Sequence, residues 1–333
     1  MPENSDLGEK TVLEICAGAG GQALGLERAG FRCSAAIEID RDACNTLRQN
    51  RPHWNVLETD LRQYSAKEFL GVDLLAGGVP CPPFSVAGKQ LGADDERDLF
   101  PAALRLIAEC QPKAVLLENV KGLSSPRFQS YRDTIVSKLF EMKYQTRWEI
   151  IYSSRFGLPQ LRPRFVLVAL REEYFNYFKM PAGSDTLVTV GDTLFDLMAG
   201  AGWIGAEKWK TIAQGIAPTI VGGSKKHGGA DLGPTRAKRQ WLDLGVDGKG
   251  IANAAPTKEH PTDFVPRLTN RMVARVQGFP DEWLFSGGKT SQYRQIGNAF
   301  PAPVAQAIGQ AIALALDKKE TAYESNEQLT ITI

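Results

Sequence analysis

The sequence predicts an α/β fold in which a doubly wound parallel sheet is joined to a second, smaller and irregular domain. Three observations carry this. Strand-like apolar runs alternate with helix-like stretches through roughly the first 170 residues, the pattern of a parallel sheet covered on both faces. From about Glu172 to Asp263 periodicity weakens and glycine becomes frequent. Regular patterning returns at residues 270–277 and in a final helix over 303–316.

The strands are short runs of Val, Ile, Leu and Ala bounded by glycine, proline or charge: 11–16, 33–39, 72–76 and 114–118. A further short strand is expected to end near Asp60. Helical stretches 21–29, 41–49 and 100–109 lie between these runs. Residues 148–152 and 164–170 read as two more strands, a hairpin at the sheet edge. No internal repeat is visible.

Composition bounds the function. The 333 residues are 43 % hydrophobic and 23 % charged, with a formal net charge of +1, which excludes a polybasic coat or an acidic tail. Any nucleic-acid surface must therefore be local. Between Trp203 and Arg275, twelve Lys and Arg stand against six Asp and Glu, so the positive excess sits in the irregular region. Five cysteines (16, 33, 44, 81 and 110) include no C-x-x-C pair, and the three histidines (53, 227 and 260) are scattered. No metal site is expected, and the cysteines read as free thiols in a reducing cytosol. Residues 1–10 are polar, and the apolar stretch 305–316 is broken by Gln306, Gly309 and Gln310. No leader and no membrane span are expected.

Cys81 stands in Gly78-Val79-Pro80-Cys81-Pro82-Pro83, directly after a strand-like run. Proline fixes φ and removes a donor, so these prolines stiffen the loop around the sulfur. A buried loop cysteine is the bland alternative; a rigidly presented nucleophile fits the surroundings better. The first strand runs into Ala17-Gly18-Ala19-Gly20-Gly21, which opens a helix. Glycines there let a ligand approach the backbone, and the helix N-terminus offers N–H donors. The spacing departs from the G-x-G-x-x-G dinucleotide fingerprint, and a tight turn with no ligand is the alternative. Glu38, at the end of the second strand, can accept both hydroxyls of a ribose, and Asp60 can meet an adenine amino group. A glycine turn with two such carboxylates and no pyrophosphate cradle suits S-adenosyl-L-methionine.

Glu118 ends the buried run 114–118, where α/β sheets place their ligands. Partial burial would raise its pKa and let it donate a proton; a helix-capping acid is the alternative. Arg162 and Arg164, at i and i+2, would share one side of an extended segment and clamp a phosphate and a carbonyl oxygen, or else form a surface ladder.

With these blocks in this order, and with Arg267-Leu268-Thr269, Gln277-Gly278-Phe279-Pro280 and Gln295-Ile296-Gly297-Asn298-Ala299 after them, the chain resembles the DNA (cytosine-5) methyltransferases along nearly its whole length. The resemblance implies a Rossmann-like methyltransferase sheet with a smaller, irregular target-recognition domain. Residues 1–171 would be the catalytic and cofactor-binding domain and 172–266 the target-recognition domain. Residues 267–320 would return to complete the catalytic domain, and 321–333 would be a disordered tail.

The resemblance makes Cys81 the nucleophile and Glu118 the residue that binds and protonates N3 of cytosine. Arg164 would contact the cytosine O2, with Arg162 steadying the thiol loop and a phosphate. Cys16, Ala17, Gly18, Ala19, Gly20, Gly21, Glu38, Asp60, Gly78, Pro80, Leu99 and Asn298 would line the S-adenosyl-L-methionine pocket. Lys225, Lys226, Arg236, Lys238 and Arg239 are the candidate DNA contacts, phosphate contact being the commoner use of such charges. The implied substrate is double-stranded DNA with its target base flipped out, since a stacked base hides carbon 5. A bacterial, cytoplasmic, nucleoid-associated monomer is implied, with a cognate restriction endonuclease as a possible partner.

Two departures stand out. Cys16 replaces the phenylalanine that usually opens the glycine block, which would thin the apolar wall around the cofactor. The loop reads Gly78-Val79-Pro80-Cys81-Pro82 where Gly-Pro-Pro-Cys-Gln is common. Three rivals remain at this stage. A transfer-RNA methyltransferase of the same fold would carry a more compact recognition region, and a silent DNA-binding homologue would need a reason to keep all four reacting groups. A nicotinamide oxidoreductase is disfavoured by the glycine spacing.

Overall fold

The computed structural model describes residues 9–80, 98–223 and 229–318. Seven strands, β1 Lys10–Ile15, β2 Phe31–Glu38, β3 Val56–Glu58, β4 Leu74–Gly78, β5 Ala114–Val120, β6 Tyr144–Tyr152 and β7 Pro163–Arg171, form one sheet in the order β3-β2-β1-β4-β5-β7-β6. β1, β2, β3, β4 and β5 run parallel, and β7 lies antiparallel between β5 and β6. The expected hairpin is therefore present, with β6 at the edge. The order reverses between β1 and β4, and the crevice outside the carboxyl ends of these two strands is where such sheets bind ligands.

Helices α1 Gly21–Arg28, α2 Arg41–Asn50, α3 Phe100–Cys110 and α4 Gln129–Glu141 belong to the crossovers. Side chains of β1 alternate between two apolar clusters: Val12 meets α1, and Leu13 and Ile15 meet α3 and α4. α1 can start abruptly because Gly20 adopts φ 86° at its N-cap, a left-handed conformation natural to glycine. α2 is capped by Asp40, whose carboxylate accepts from Asp42 N (3.0 Å) and Ala43 N (3.2 Å). α4 is not evident in the sequence because only Ile135 and Leu139 of its thirteen residues are buried.

After β7 come α5 Glu172–Phe175, α6 Val190–Ala199, α7 Ala206–Ile212 and α8 Thr235–Asp243, then α9 Asn270–Val276, α10 Lys289–Asn298 and α11 Ala302–Leu316. The glycine-rich stretch is thus more regular than its sequence suggests. Its helices are short and anchored by the buried tryptophans Trp203, Trp209 and Trp241 rather than by long apolar stripes. These tryptophans belong to the same apolar cluster as α1, α9 and α11, so the core runs continuously from the sheet into residues 190–251.

α11 returns from the end of the described chain to lie on α1. A Cβ on Gly25 of α1 would collide with Ala302 O, so the contact is built on that missing side chain. The segment Lys289–Leu316 has the length and composition of a membrane span, yet its most apolar window is 67 % buried inside the protein, as α10 and α11. The sequence reading of 305–316 alone understated its length.

Candidate active site

The crevice at the switch point is a cavity of about 450 Å³. It is lined from the carboxyl end of β1 (Cys16, Ala17, Gly18), from β2 and the turn after it (Glu38, Ile39, Asp40), and from Asp60, Leu61 and Arg62 after β3. Gly78 and Pro80 follow from β4, Leu99 from the start of α3, Glu118 from β5, and Asn298 from α10. Of the expected cofactor residues, Ala19, Gly20 and Gly21 alone are not on this wall. They form the turn and first helical residue behind it, and a Cβ on Gly21 would strike Phe300 O.

The carboxylates are held in two ways. Glu38 Oε2 accepts from Gly18 N (2.7 Å), while its Oε1 accepts from Ile39 N (2.8 Å) and Asp40 N (2.7 Å). This ties the glycine turn to the end of β2. Asp60 is gripped by Arg62 through Nε (3.0 Å) and Nη2 (2.6 Å), and these hydrogen bonds lower its pKa. Between them Ile39 leaves its side chain 63 % exposed at the cavity rim, an apolar surface suited to one face of a flat ring.

Glu118 is 8 % exposed, and its Oε1 lies 2.5 Å from Arg164 Nε, an ion pair at the end of β5. The adjacent strands β5 and β7 set the pair, because Val120 stands opposite Arg164 in the ladder. Burial lowers the Arg164 pKa, and the Glu118 charge works against that fall. Asn119 Nδ2 donates to Val79 O (2.7 Å), and Leu99 N donates to Pro80 O (3.1 Å). Both stems of the segment that carries Cys81 are therefore fastened beside Glu118. Cys81 itself lies outside the described residues, as do Lys225, Lys226 and the tail 321–333.

Arg162 corrects the expectation of a paired arginine clamp. The extended strand starts at Pro163, and Arg162 has φ 27°, so the two arginines do not share a side. Its guanidinium is fully buried (0 %) and donates to Ile220 O (2.7 Å), Gly297 O (2.9 Å) and Ala299 O (2.7 Å). A group spent on three carbonyls and closed to solvent is not placed to hold a phosphate. It joins the start of β7 to Ile220 and to the segment bearing Asn298. Asn298 in turn donates to Gly223 O (3.2 Å).

The described thiols are not poised to react. Burial, reinforced by Glu38, Glu14 and Asp60, raises the Cys16 pKa, and burial pushes Cys33, Cys44 and Cys110 up to about 12. Among the described residues no cluster of His, Cys, Asp or Glu could hold a metal ion. On α8, Arg236 and Arg239 are exposed at i and i+3, whereas Lys238 is paired with Asp231 at 2.7 Å.

The sequence reading missed Glu14, Gln22, Ile39, Arg294 and Phe300, all on the cavity wall. Glu14 had a legible signal: it is the one acid inside the apolar run 11–16.

A seven-stranded sheet with one antiparallel strand, β7, and an acid-lined crevice at the switch point defines an α/β methyltransferase fold. A solved structure of Spodoptera frugiperda DNMT2 shares that fold with a TM-score of 0.65 at 17 % identity, over 91 % of this chain and 99 % of that one. Residues 10–314 match the C-5 cytosine-specific DNA methylase family. The chain is 58 % identical over 310 residues to the Type II methyltransferase M.NaeI of Lentzea aerocolonigenes, covering 92 % of this chain and 75 % of that protein. It is 53 % identical over 313 residues to the Type II methyltransferase M.NgoMIV of Neisseria gonorrhoeae, covering 93 % and 99 %. The chain belongs to the C-5 cytosine-specific DNA methylase family and is a DNA cytosine-5 methyltransferase.

Proposed function

We propose that the enzyme methylates carbon 5 of a cytosine flipped out of one short duplex DNA sequence, using S-adenosyl-L-methionine and a transient bond between Cys81 and carbon 6. The observation that carries this reading is the buried ion pair that Glu118, on the cavity wall, makes with Arg164, next to the fastened ends of the segment that carries Cys81.

The cavity fits the cofactor. Glu38 keeps lone pairs for ribose hydroxyls, Asp60 faces the rim beside Ile39, and Glu14 and Gln22 carry buried polar atoms with no partner in the protein. When bound, the cofactor supplies an electrophilic methyl group on sulfur.

The protein's part begins with the base. Carbon 5 of cytosine is too weak a nucleophile unaided. The Cys81 thiolate adds to carbon 6 as N3 takes a proton from Glu118, which leaves carbon 5 enamine-like and able to accept the methyl. Arg164, held by Glu118, would contact the cytosine O2. Loss of the carbon-5 proton and elimination of the thiolate restore the ring. Arg162 acts at one remove, by holding the segment of Asn298.

Residues 172–266, with Arg236 and Arg239 exposed on α8 and with Lys225 and Lys226 in the same stretch of sequence, would read the DNA. The naming of both relatives as Type II methyltransferases supports a place in a restriction-modification system beside a cognate endonuclease. A cytoplasmic monomer, held at the nucleoid through DNA, fits that setting.

Bisulfite sequencing of plasmid from cells expressing the chain tests the reaction and its target together. Protected cytosines confined to one short recurring sequence are expected, and complete conversion would contradict the reading.

A further inference from the structure

One indole outside the cavity touches the turn that opens onto it. Ala17 and Gly18 stand on the cavity wall, and Glu38 is tied to them because its Oε2 accepts from Gly18 N (2.7 Å). Ala19, Gly20 and Gly21 form the back of the same turn. Trp283 reaches it from 264 residues away in the chain, and its Nε1 donates to Ala19 O (3.1 Å). The backbone ladder of α1 begins one residue later, with Leu24 N on Gly20 O (2.8 Å). The carbonyl of Ala19 is thus served by the indole rather than by the helix.

The same ring also fills the space behind Gly20. Gly20 holds φ 86°, and a Cβ there would come within 3.0 Å of Trp283 Cζ2 and 2.7 Å of Leu47 Cδ2. The turn is thereby fixed on two sides, by Glu38 in front and by Trp283 behind.

Trp283 is itself firmly seated. It is 1 % exposed, and its ring lies 6.0 Å from that of Phe279 and 6.5 Å from that of Trp54. The Arg51 guanidinium sits 5.1 Å from its centroid and is paired with Glu27 of α1 at 2.8 Å. Trp283 O accepts from Arg271 Nη2 (2.6 Å). A phenylalanine would fill most of this space, so packing alone does not call for an indole. Nor is a bond automatic for a buried indole in this protein, since Trp148 and Trp241 leave Nε1 without a partner.

We propose that Trp283 is a positioning residue for the cofactor: its N–H and ring hold the turn 17–20, and through it Glu38, in the shape that the ligand meets. This rests on the S-adenosyl-L-methionine reading above. The indole touches no reacting atom, and Glu118 and Arg164 stand on β5 and β7, away from the turn. Its loss therefore weakens cofactor binding and leaves the rate at saturating cofactor unchanged.

Trp283→Phe removes the donor and leaves Ala19 O buried without it. Calorimetry should show S-adenosylhomocysteine bound about tenfold more weakly. Steady-state kinetics should show a matching rise in KM for the methyl donor, with kcat within about twofold of wild type. Trp54→Phe disturbs the same aromatic cluster without reaching Ala19 O. It should lower the melting temperature while keeping wild-type affinity. Replacement of Trp283 by benzothienylalanine keeps both rings and puts sulfur in place of the N–H, so it decides the case where the phenylalanine variant folds poorly. The same weakening is expected of it. Affinity within about twofold of wild type in that enzyme would overturn the inference, as would a fall in kcat at unchanged KM. Equal weakening in Trp54→Phe would also overturn it, because the effect would then belong to the whole cluster. Failure of wild type to bind S-adenosylhomocysteine at all would instead overturn the cofactor reading beneath it.

Discussion

Glu118→Gln should lower turnover by about 10²–10⁴-fold while leaving cofactor affinity within about threefold. The variant keeps the shape of the side chain and its place beside Arg164, so the cavity wall survives. It removes the only group on β5 placed to give a proton to N3. Without that proton, addition of a thiolate at carbon 6 leaves an unstabilised anion on the ring. Single-turnover kinetics with labelled cofactor, set beside equilibrium binding of S-adenosylhomocysteine, separates the two effects. Turnover within a factor of ten of wild type would remove Glu118 from proton transfer. A parallel collapse in cofactor binding would make it a residue that holds the cofactor.

Arg162→Met should destabilise the protein by about 3–5 kcal/mol, the cost of taking a charged hydrogen-bond donor away from buried carbonyls. The methionine keeps most of the volume but abandons three carbonyl oxygens, those of Ile220, Gly297 and Ala299. Ile220 O and Gly297 O then lose the guanidinium donor, while Ala299 O keeps the bond from Gln277 Nε2. The network around it offers little compensation. Gln160 already donates to Val276 O and Gln277 Oε1, and Gln277 donates to Ala299 O. Denaturant unfolding measures the loss, and a change below about 1 kcal/mol would show that the guanidinium is not the tie between these segments. Arg162→Lys should recover part of it, since an ammonium can reach one or two of the three acceptors.

The strands were legible because a sheet buried on both faces leaves nearly continuous apolar runs. Residues 11–16, 33–39 and 114–118 each fall within about three residues of β1, β2 and β5 at either end. Glu38 and Glu118 were legible for the same reason, as carboxylates that close such a run. α4 and α10 were hidden by thin apolar stripes; in α10 the buried set includes Gln295 and Gly297. The fate of Arg162 was hidden more deeply. Its acceptors lie 58 to 137 residues away in the chain, so neither spacing nor residue type distinguishes a buried tie from a phosphate clamp. Glu14 showed its oddity in the sequence but not its place on the cavity wall. Cys16 proved to be a cavity-wall residue with φ 51°, and Ile39, one residue past Glu38, offers apolar surface at the rim.

The central claim is that a sulfur atom adds to the pyrimidine before the methyl moves. Wild-type enzyme, cofactor and a duplex bearing 5-fluorocytosine at the target should form a complex that survives denaturation, because fluorine blocks the final elimination. Peptide mass spectrometry should place methylated DNA on Cys81, and Cys81→Ser should form none while still binding DNA and cofactor. A crosslink at Cys16 or Cys110, or full methyl transfer without any adduct, would contradict the account.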